Sequence, residues 1–383
     1  MVGFLLFGSA IFPAQAAFTS LYIFGDGVST TTNNPFAGQY YYGLRRSNGR
    51  VWVELLAQQL GLTNNYWYSN NSSIHVSYTN LSASSTNWSY SSNNWSYWGD
   101  YSSNLVQNVN NFTTLTNATN ALFVVWVIDA DFVYDIANYG PYTSNNIAIW
   151  TNAINLSLTN HYKAITNLYA KGARTLIMPN AADITEIPAY NIMAATNKSF
   201  IRQRIIDFNT AFTTTLMNRI QTSCPGITIY VPDIFTLLNN VLTNAAAYGL
   251  TNALDNGLSI DALDDPSLSD LSLNGPGANY IFWDDEDPTA RFHSVIAGVV
   301  QQLISPAQIT NFTVLNGSNQ LDVANVPIGL NGLVLGCTNL SAPSWTTNAT
   351  FVSSNATQTV FVPASGSPQM FYQLYFPYTW TWP

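Results

Sequence analysis

The sequence has very little charge. Only 8% of its 383 residues are Asp, Glu, Lys or Arg, whereas 47% are hydrophobic, so Asn, Ser, Thr and Tyr must supply most of the polar surface. This composition argues against intrinsic disorder, because disordered chains are rich in charge and poor in aromatic residues. The formal net charge of −9 argues against nucleic acid and anionic membranes as partners. A surface with so little charge is weakly protected against self-association.

The sequence also lacks a hydrophobic run long enough to span a bilayer. Its N-terminal run, VGFLLFGSAIF, is followed by Pro13 and then by Ala-Gln-Ala-Ala. This arrangement predicts a signal peptide over residues 1–16 with cleavage after Ala16, although the usual basic residues before the run are missing. The alternative is a buried N-terminal helix. We therefore expect a secreted protein, extracellular or at the cell surface, with no membrane span in the mature chain.

Only two cysteines are present, Cys224 and Cys337. They could pair in an oxidising compartment, but they fall in what are predicted to be different domains, which favours two separate buried thiols. Neither has a histidine nearby in sequence, so neither indicates a cysteine nucleophile.

Strand and helix patterns alternate through the first three hundred residues. Helical patterns over residues 49–62, 145–171 and 200–220 separate short apolar runs that suit strands buried on both faces. This alternation predicts an α/β domain over residues 17–308 with a parallel sheet between helices, and a site at the carboxyl ends of the strands. The four strand-like runs are LYIF (21–24), LFVVWVI (122–128), RTLIM (174–178) and ITIYV (227–231).

From residue 309 the pattern changes to short alternating runs separated by Gly, Pro and Asn. This predicts a small all-β, sandwich-like module over residues 309–383. Through TNLSAPSW (338–345) and FYQLYF (371–376) it resembles small β-modules that are appended to secreted bacterial proteins. The weakly charged tail FPYTWTWP suits a surface that prefers a partner to water. The alternative is a sandwich whose aromatic residues form its own core.

A tandem heptapeptide lies in an Asn-, Ser-, Tyr- and Trp-rich stretch over residues 64–98. SSTNWSY (84–90) is followed directly by SSNNWSY (91–97). Two copies are too few for a solenoid, so a duplicated loop insertion is one interpretation. The other is an aromatic platform on which sugars stack, formed by Trp88, Tyr90, Trp95 and Tyr97. We expect Trp95 to pack in the core and Trp88 to be exposed.

Four stretches resemble the conserved blocks of the SGNH (GDSL-type) hydrolases. They are FGDGVST (24–30), NWSYWGDYSSNLVQNVNNF (94–112), VVWVIDADF (124–132) and FWDDEDPTARFH (282–293). The resemblance extends over roughly residues 20–305 and implies a three-layer αβα, flavodoxin-like fold. It also implies ester hydrolysis, in which a serine is the nucleophile and an Asp-oriented histidine is the base. Ser, Gly and Asn then donate hydrogen bonds to the oxyanion.

Most of the catalytic residues that the resemblance implies are missing. The serine position is Gly27, the histidine position is Asp287 and the asparagine position is Ala130, whereas Gly99 and Asp284 match. A covalent intermediate needs a nucleophile within hydrogen-bond reach of a base, and each lost oxyanion donor typically costs about 10²–10³ in rate. The sequence therefore predicts a family site without serine ester hydrolysis.

Ser29 and His293 are the nearest candidates to replace the missing pair. Ser29 lies at a helix start, where serine usually caps the helix. His293 matches a second histidine found in some family members, and we expect it to face away from the site.

Acidic residues remain at the expected site. We expect Asp26, Asp131, Asp284 and Asp287 to converge near the strand ends, with Asp129, Asp285 and Glu286 close by. Three hypotheses stay open. The carboxylates could make structural hydrogen bonds, could bind a hard cation such as Ca²⁺ as the only cofactor expected, or could form an acid–base pair.

Three functions are compatible with these observations. The first is an exported, catalytically degenerate pseudo-esterase that binds an extracellular glycan or a cell-surface component, or assembles with itself. The second is an extracellular esterase or carbohydrate deacetylase with an unconventional acidic site. The third is a structural coat or filament subunit.

Overall fold

The computed structural model describes residues 18–31, 40–62, 94–113, 117–367, 369–378, 380 and 382. The predicted signal peptide, together with Trp88 and Tyr90 of the predicted aromatic platform, lies outside these residues. Within the described ranges, no helix combines the length and the apolar character needed to cross a membrane.

A parallel four-stranded sheet forms the centre of the N-terminal domain, as predicted. Its strands are β1 (Ser20–Gly25), β2 (Ala121–Trp126), β3 (Thr175–Ile177) and β4 (Thr228–Tyr230), in the order β1-β2-β3-β4. Every residue of β2 is buried, because this strand lies inside the sheet with packed side chains on both faces.

The segment after the heptapeptide repeat extends the sheet beyond β1. Ile23 forms an isolated parallel bridge with Asn94. The backbone N–H of Trp95 donates to the carbonyl of Ile23 at 2.7 Å, and that of Tyr97 donates to Gly25 at 3.1 Å. With this segment counted second along the chain, the spatial order becomes 2-1-3-4-5, which is the flavodoxin-like order. The strand order therefore reverses at β1.

Helices in two groups complete the α/β layers. One group pairs α1 with α9, and the other packs α2, α3, α6 and α7 around the long α4. A π-helical turn over Phe212–Leu216 connects α6 to α7, so the helix predicted over 200–220 is divided. The bounds are α1 Trp52–Gln59, α2 Ser102–Asn111, α3 Ile128–Asn138, α4 Ile147–Ala170, α5 Pro188–Asn191, α6 Ala195–Ala211, α7 Met217–Ser223, α8 Ile234–Thr243 and α9 Ala290–Ile304; a short hairpin pairs β5 (Leu254–Asp255) with β6 (Leu258–Ser259).

Two antiparallel three-stranded sheets form the C-terminal module, which confirms the predicted all-β class. Their orders are β10-β9-β12 and β11-β8-β7, around a small core that includes Leu321, Val334 and Val360. The strands are β7 Gln308–Val314, β8 Ser318–Ala324, β9 Asn331–Cys337, β10 Thr346–Val352, β11 Thr357–Pro363 and β12 Phe371–Tyr375. Cys337 in this module and Cys224 in the α/β domain are both buried and unbonded, as predicted.

Candidate active site

A cavity of about 430 Å³ opens at the carboxyl ends of β1 and β2. This is where the strand order predicts a ligand site, since the strand order reverses at β1. Several segments contribute to the cavity, among them the loop after β1, the loop after residue 97, the start of α3 and the loop before α9. The contributing residues include Asp26, Gly27, Trp98, Gly99, Tyr101, Trp126, Asp129, Ala130, Glu286 and Asp287.

Gly27 stands beside Asp287, as the family pattern requires of a nucleophile and its base. A Cβ atom built on Gly27 would lie 3.7 Å from Oδ1 of Asp287 and 3.0 Å from Cδ1 of Trp98. Gly27 is not among the residues with positive φ, so its backbone does not require glycine. Gly99, in contrast, has φ of +80°, which favours glycine. The backbone at position 27 thus permits a side chain, which would lie between Asp287 and Trp98.

Arg46 lies among the acidic residues around Asp287, the residue at the family's histidine position. Its Nε donates to Oδ2 of Asp287 at 2.8 Å, and its Nη2 lies 3.1 Å from Oδ2 of Asp284. All three side chains are buried, and the Tyr41 hydroxyl donates to the same Asp284 oxygen at 2.7 Å. Burial and the neighbouring Asp284 raise the pKa of Asp287 well above its usual value, and Arg46 opposes this shift. The 2.8 Å contact with Arg46 holds the residue in place of the histidine in an ion pair and opposes the effect of burial.

Asp284 holds the loop that carries Asp287. Its Oδ1 accepts hydrogen bonds from the backbone N–H of Asp287 at 2.8 Å and of Glu286 at 3.1 Å. These contacts match the structural hypothesis for this carboxylate.

Two further carboxylates face the cavity from the ends of β1 and β2. Oδ1 of Asp26 accepts from the backbone N–H of Val28 at 3.2 Å, and Oδ1 of Asp129 accepts from that of Ala182 at 2.9 Å. Burial raises the pKa of Asp129 to about 7. Burial, followed by repulsion from Asp129, raises the pKa of Asp26 well above its usual value. This pair fits the acid–base hypothesis better than Asp284 does.

The expectation that Asp131 joins the other three aspartates is wrong. Its Oδ1 accepts from the backbone N–H of Ser102 at 2.9 Å, and it lines a separate cavity with Tyr134 and Asp135. Asp129 and Asp131 are two residues apart on α3, so about 200° of helix rotation separates them. Among the residues described, no group of three His, Cys, Asp or Glu side chains could hold a metal ion, so these residues give the calcium hypothesis no site.

Trp95 is partly buried and packs against the core. Its ring centroid lies 6.4 Å from that of Phe24 and 6.2 Å from that of Phe112. These contacts agree with the expectation that Trp95 packs against the core, and its place in the predicted platform stays a prediction. Tyr97 is exposed.

Ser29 and His293 do not form a replacement pair. Ser29 is fully buried, and its Oγ accepts from Nε1 of Trp52 at 3.0 Å. His293 is fully buried, and neither ring nitrogen has a hydrogen-bond partner within the described residues. Burial lowers the pKa of His293 to about 3. Neither residue lines the cavity.

The raised carboxylate pKa values predict a protein that is more stable at pH 6 than at pH 8. Burial raises the pKa of both Asp129 and Asp135 to about 7, from 3.8 in an unfolded chain. The folded chain then binds more protons in this range, so stability falls as pH rises through 7. His293 opposes this trend only below pH 6.5, its unfolded pKa. We expect Tm to drop by several degrees from pH 6 to pH 8 in a thermal melt.

Two aspartate variants check the origin of this slope. Asp129→Asn should flatten the pH dependence of Tm. Asp322→Asn should leave it unchanged. Hydrogen bonds from Asn311, Gln320 and Thr359 lower the pKa of the Asp322 carboxyl, so it stays ionised throughout the range. A Tm that rises from pH 6 to pH 8 would contradict the prediction.

Comparison with known proteins found two relatives of similar length. Both are named GDSL esterase/lipase and come from Arabidopsis thaliana. One is 26% identical over 331 residues, which cover 76% of this chain and 82% of the relative. The other is 24% identical over 323 residues, covering 74% and 84%. These similarities agree with the family resemblance of the four sequence blocks.

No family model matches the chain. Among solved structures, a gut microbial diltiazem-metabolizing enzyme is similar with a TM-score of 0.40 and 10% identity, over 83% of this chain and 58% of that one.

Proposed function

We propose that the chain, which is similar to GDSL esterase/lipase proteins, is a binding protein that keeps the family cavity but no longer hydrolyses esters. One observation carries the proposal. The nucleophile and base positions stand side by side at the cavity, and they hold a glycine and a carboxylate that is ion-paired with Arg46.

Covalent ester hydrolysis has no nucleophile in this arrangement. Gly27 has no side chain, and Ala130 supplies no amide to an oxyanion. Asp287 is bound through Oδ2 to Arg46. A nucleophile must lie within hydrogen-bond reach of its base, so the remaining Gly99 cannot support the reaction alone.

The cavity itself is intact. Its volume of about 430 Å³ lies within the usual range for small-molecule sites, roughly 300–1,000 Å³. Most of its lining side chains are apolar or aromatic, which suits a ligand with a hydrophobic body. The N-terminal signal-peptide pattern favours export, so we place the binding outside the cell. The weakly charged surface favours an additional contact with a glycan, a cell-surface component or a second copy of the chain.

A second candidate function is hydrolysis by carboxylates. Asp129, with its pKa near 7, is electrostatically coupled to Asp26 at the cavity wall. Two carboxyl groups whose environments separate their pKa values can divide the roles of acid and base, with water as the nucleophile. This site would act without a serine.

Serine-directed reagents separate these functions. We expect a fluorophosphonate probe to leave the protein unlabelled, and p-nitrophenyl acetate to hydrolyse no faster than in buffer, because position 27 has no hydroxyl. Turnover that Asp129→Asn abolishes would favour the carboxylate hydrolase. Stoichiometric labelling at Ser29 would contradict both functions.

A further inference from the structure

The ionisable side chains that line the cavity are all acidic. Asp26, Asp129, Glu286 and Asp287 line it, and no Lys, Arg or His side chain does so among the residues described. Arg46 pairs with Asp287 through Oδ2. The cavity therefore disfavours an anionic ligand.

Asp287 leaves one oxygen for a ligand. The residue is only 3% exposed, and its Oδ1 makes no hydrogen bond within the described part of the chain. This oxygen faces the space beside Gly27, where relatives would carry a side chain. This oxygen is not among the fully buried side-chain atoms that lack a partner, so it is open to the cavity, and a ligand with an N–H or a positive charge can bind to it.

Aromatic rings stand on the same cavity wall. Trp98, Tyr101 and Trp126 line the cavity next to the carboxylates. The Trp98 ring already faces a cation on one side, since the Arg46 guanidinium carbon lies 5.5 Å from its centroid. Aromatic faces near carboxylates are the surroundings that organic ammonium ions prefer. Aliphatic residues form much of the remaining wall: Val133, Ile184, Ile187, Ile234, Leu238 and Ile296.

From these observations we propose that the cavity binds a hydrophobic organic cation, that is, an ammonium group carried on an apolar body. The ammonium group lies near Gly27, between Asp287 and the Asp26–Asp129 pair, and the apolar body fills the aliphatic part. The inference rests on the proposed binding function and adds the chemical class of the ligand. A bare metal ion fits less well, because the described residues contain no group of three metal ligands and the wall is mainly apolar.

Three probes of equal chain length test the charge preference at pH 7: octylammonium, octanol and octanoate. Titration calorimetry with the full chain should show octylammonium binding at least about tenfold more tightly than octanol, since one charge-assisted hydrogen bond is worth about that factor. Octanoate should bind more weakly than octanol. All three should compete for one site, and Ala130→Trp, which fills the cavity, should abolish binding.

A matched pair of variants locates the cation. Asp129→Asn keeps the oxygen that accepts from Ala182 and should weaken octylammonium binding about tenfold with octanol unchanged. Asp131→Asn, on the same helix but facing the other cavity, should leave both affinities unchanged.

The results distinguish a failure of the proposed cation preference from a failure of the proposed binding function. Equal affinity for octylammonium and octanol, with both lost in Ala130→Trp, would overturn the cation preference and leave the binding function standing. Absence of binding by all three probes would overturn both. If Asp129→Asn did not fold, the three probes on the native chain would still decide.

Discussion

Replacing Arg46 with alanine should lower the free energy of unfolding by about 3–5 kcal/mol, the usual cost of breaking a buried ion pair from one side. Arg46 is 5% exposed and contacts both Asp284 and Asp287. Without the guanidinium, two buried carboxylates would face each other with no cation between them. Urea denaturation monitored by fluorescence measures this loss in the free energy of unfolding.

Two control variants show whether the expected loss of stability comes from the buried ion pairs of Arg46 or from removal of an arginine side chain in general. Arg204→Ala removes a pair with Asp207, whose carboxylate is 41% exposed and can be rehydrated, and should therefore cost less than Arg46→Ala. Adding Asp287→Asn to Arg46→Ala should recover part of the loss, because one buried charge is then removed. A loss at Arg46 no larger than that at Arg204 would mean that the cluster is hydrated and not a buried ion pair.

The fold could be predicted because its main determinants are local. The four strands are short apolar runs, and each lies where its run was found, within a few residues. Burial of β2 on both faces leaves no alternation, so its apolar run indicated a central parallel strand. The sequence did not predict that residues 94–97 form the sheet edge, because this segment pairs through backbone bonds and carries a polar, repetitive sequence.

The site was predictable where it depended on motif positions and not where it depended on distant contacts. Gly27 and Asp287 are adjacent, as their places in the family pattern imply. Arg46 was missed because its partner Asp287 lies 241 residues away in sequence. A signal was available, however. The chain has only 11 Lys and Arg residues, and two of them, Arg45 and Arg46, are consecutive beside no acidic residue. Both arginines are buried in ion pairs.

Restoring both missing side chains should restore reaction with serine probes. The double variant Gly27→Ser, Asp287→His places a hydroxyl and an imidazole at two positions that are already neighbours, with the Gly27 Cβ site 3.7 Å from the present Asp287 oxygen. Asp284, three residues before, supplies the carboxylate that the family uses to orient the imidazole. We expect fluorophosphonate labelling and p-nitrophenyl acetate turnover at least about 10²-fold above the native chain, the lower range for general acid–base catalysis.

The control is Gly27→Ala with Asp287→His, which places the same Cβ against Trp98 and breaks the same ion pair but adds no hydroxyl. It should fold like the double variant and remain unlabelled. Gly27→Ser alone should react more slowly than the double variant. Asp287 is held by Arg46, whereas an imidazole oriented through its second ring nitrogen can take the serine proton and return it to the leaving group. A folded double variant that resists labelling would show that the Trp98 ring, 3.0 Å from the introduced Cβ, closes the nucleophile position. The site would then have lost its shape as well as its residues.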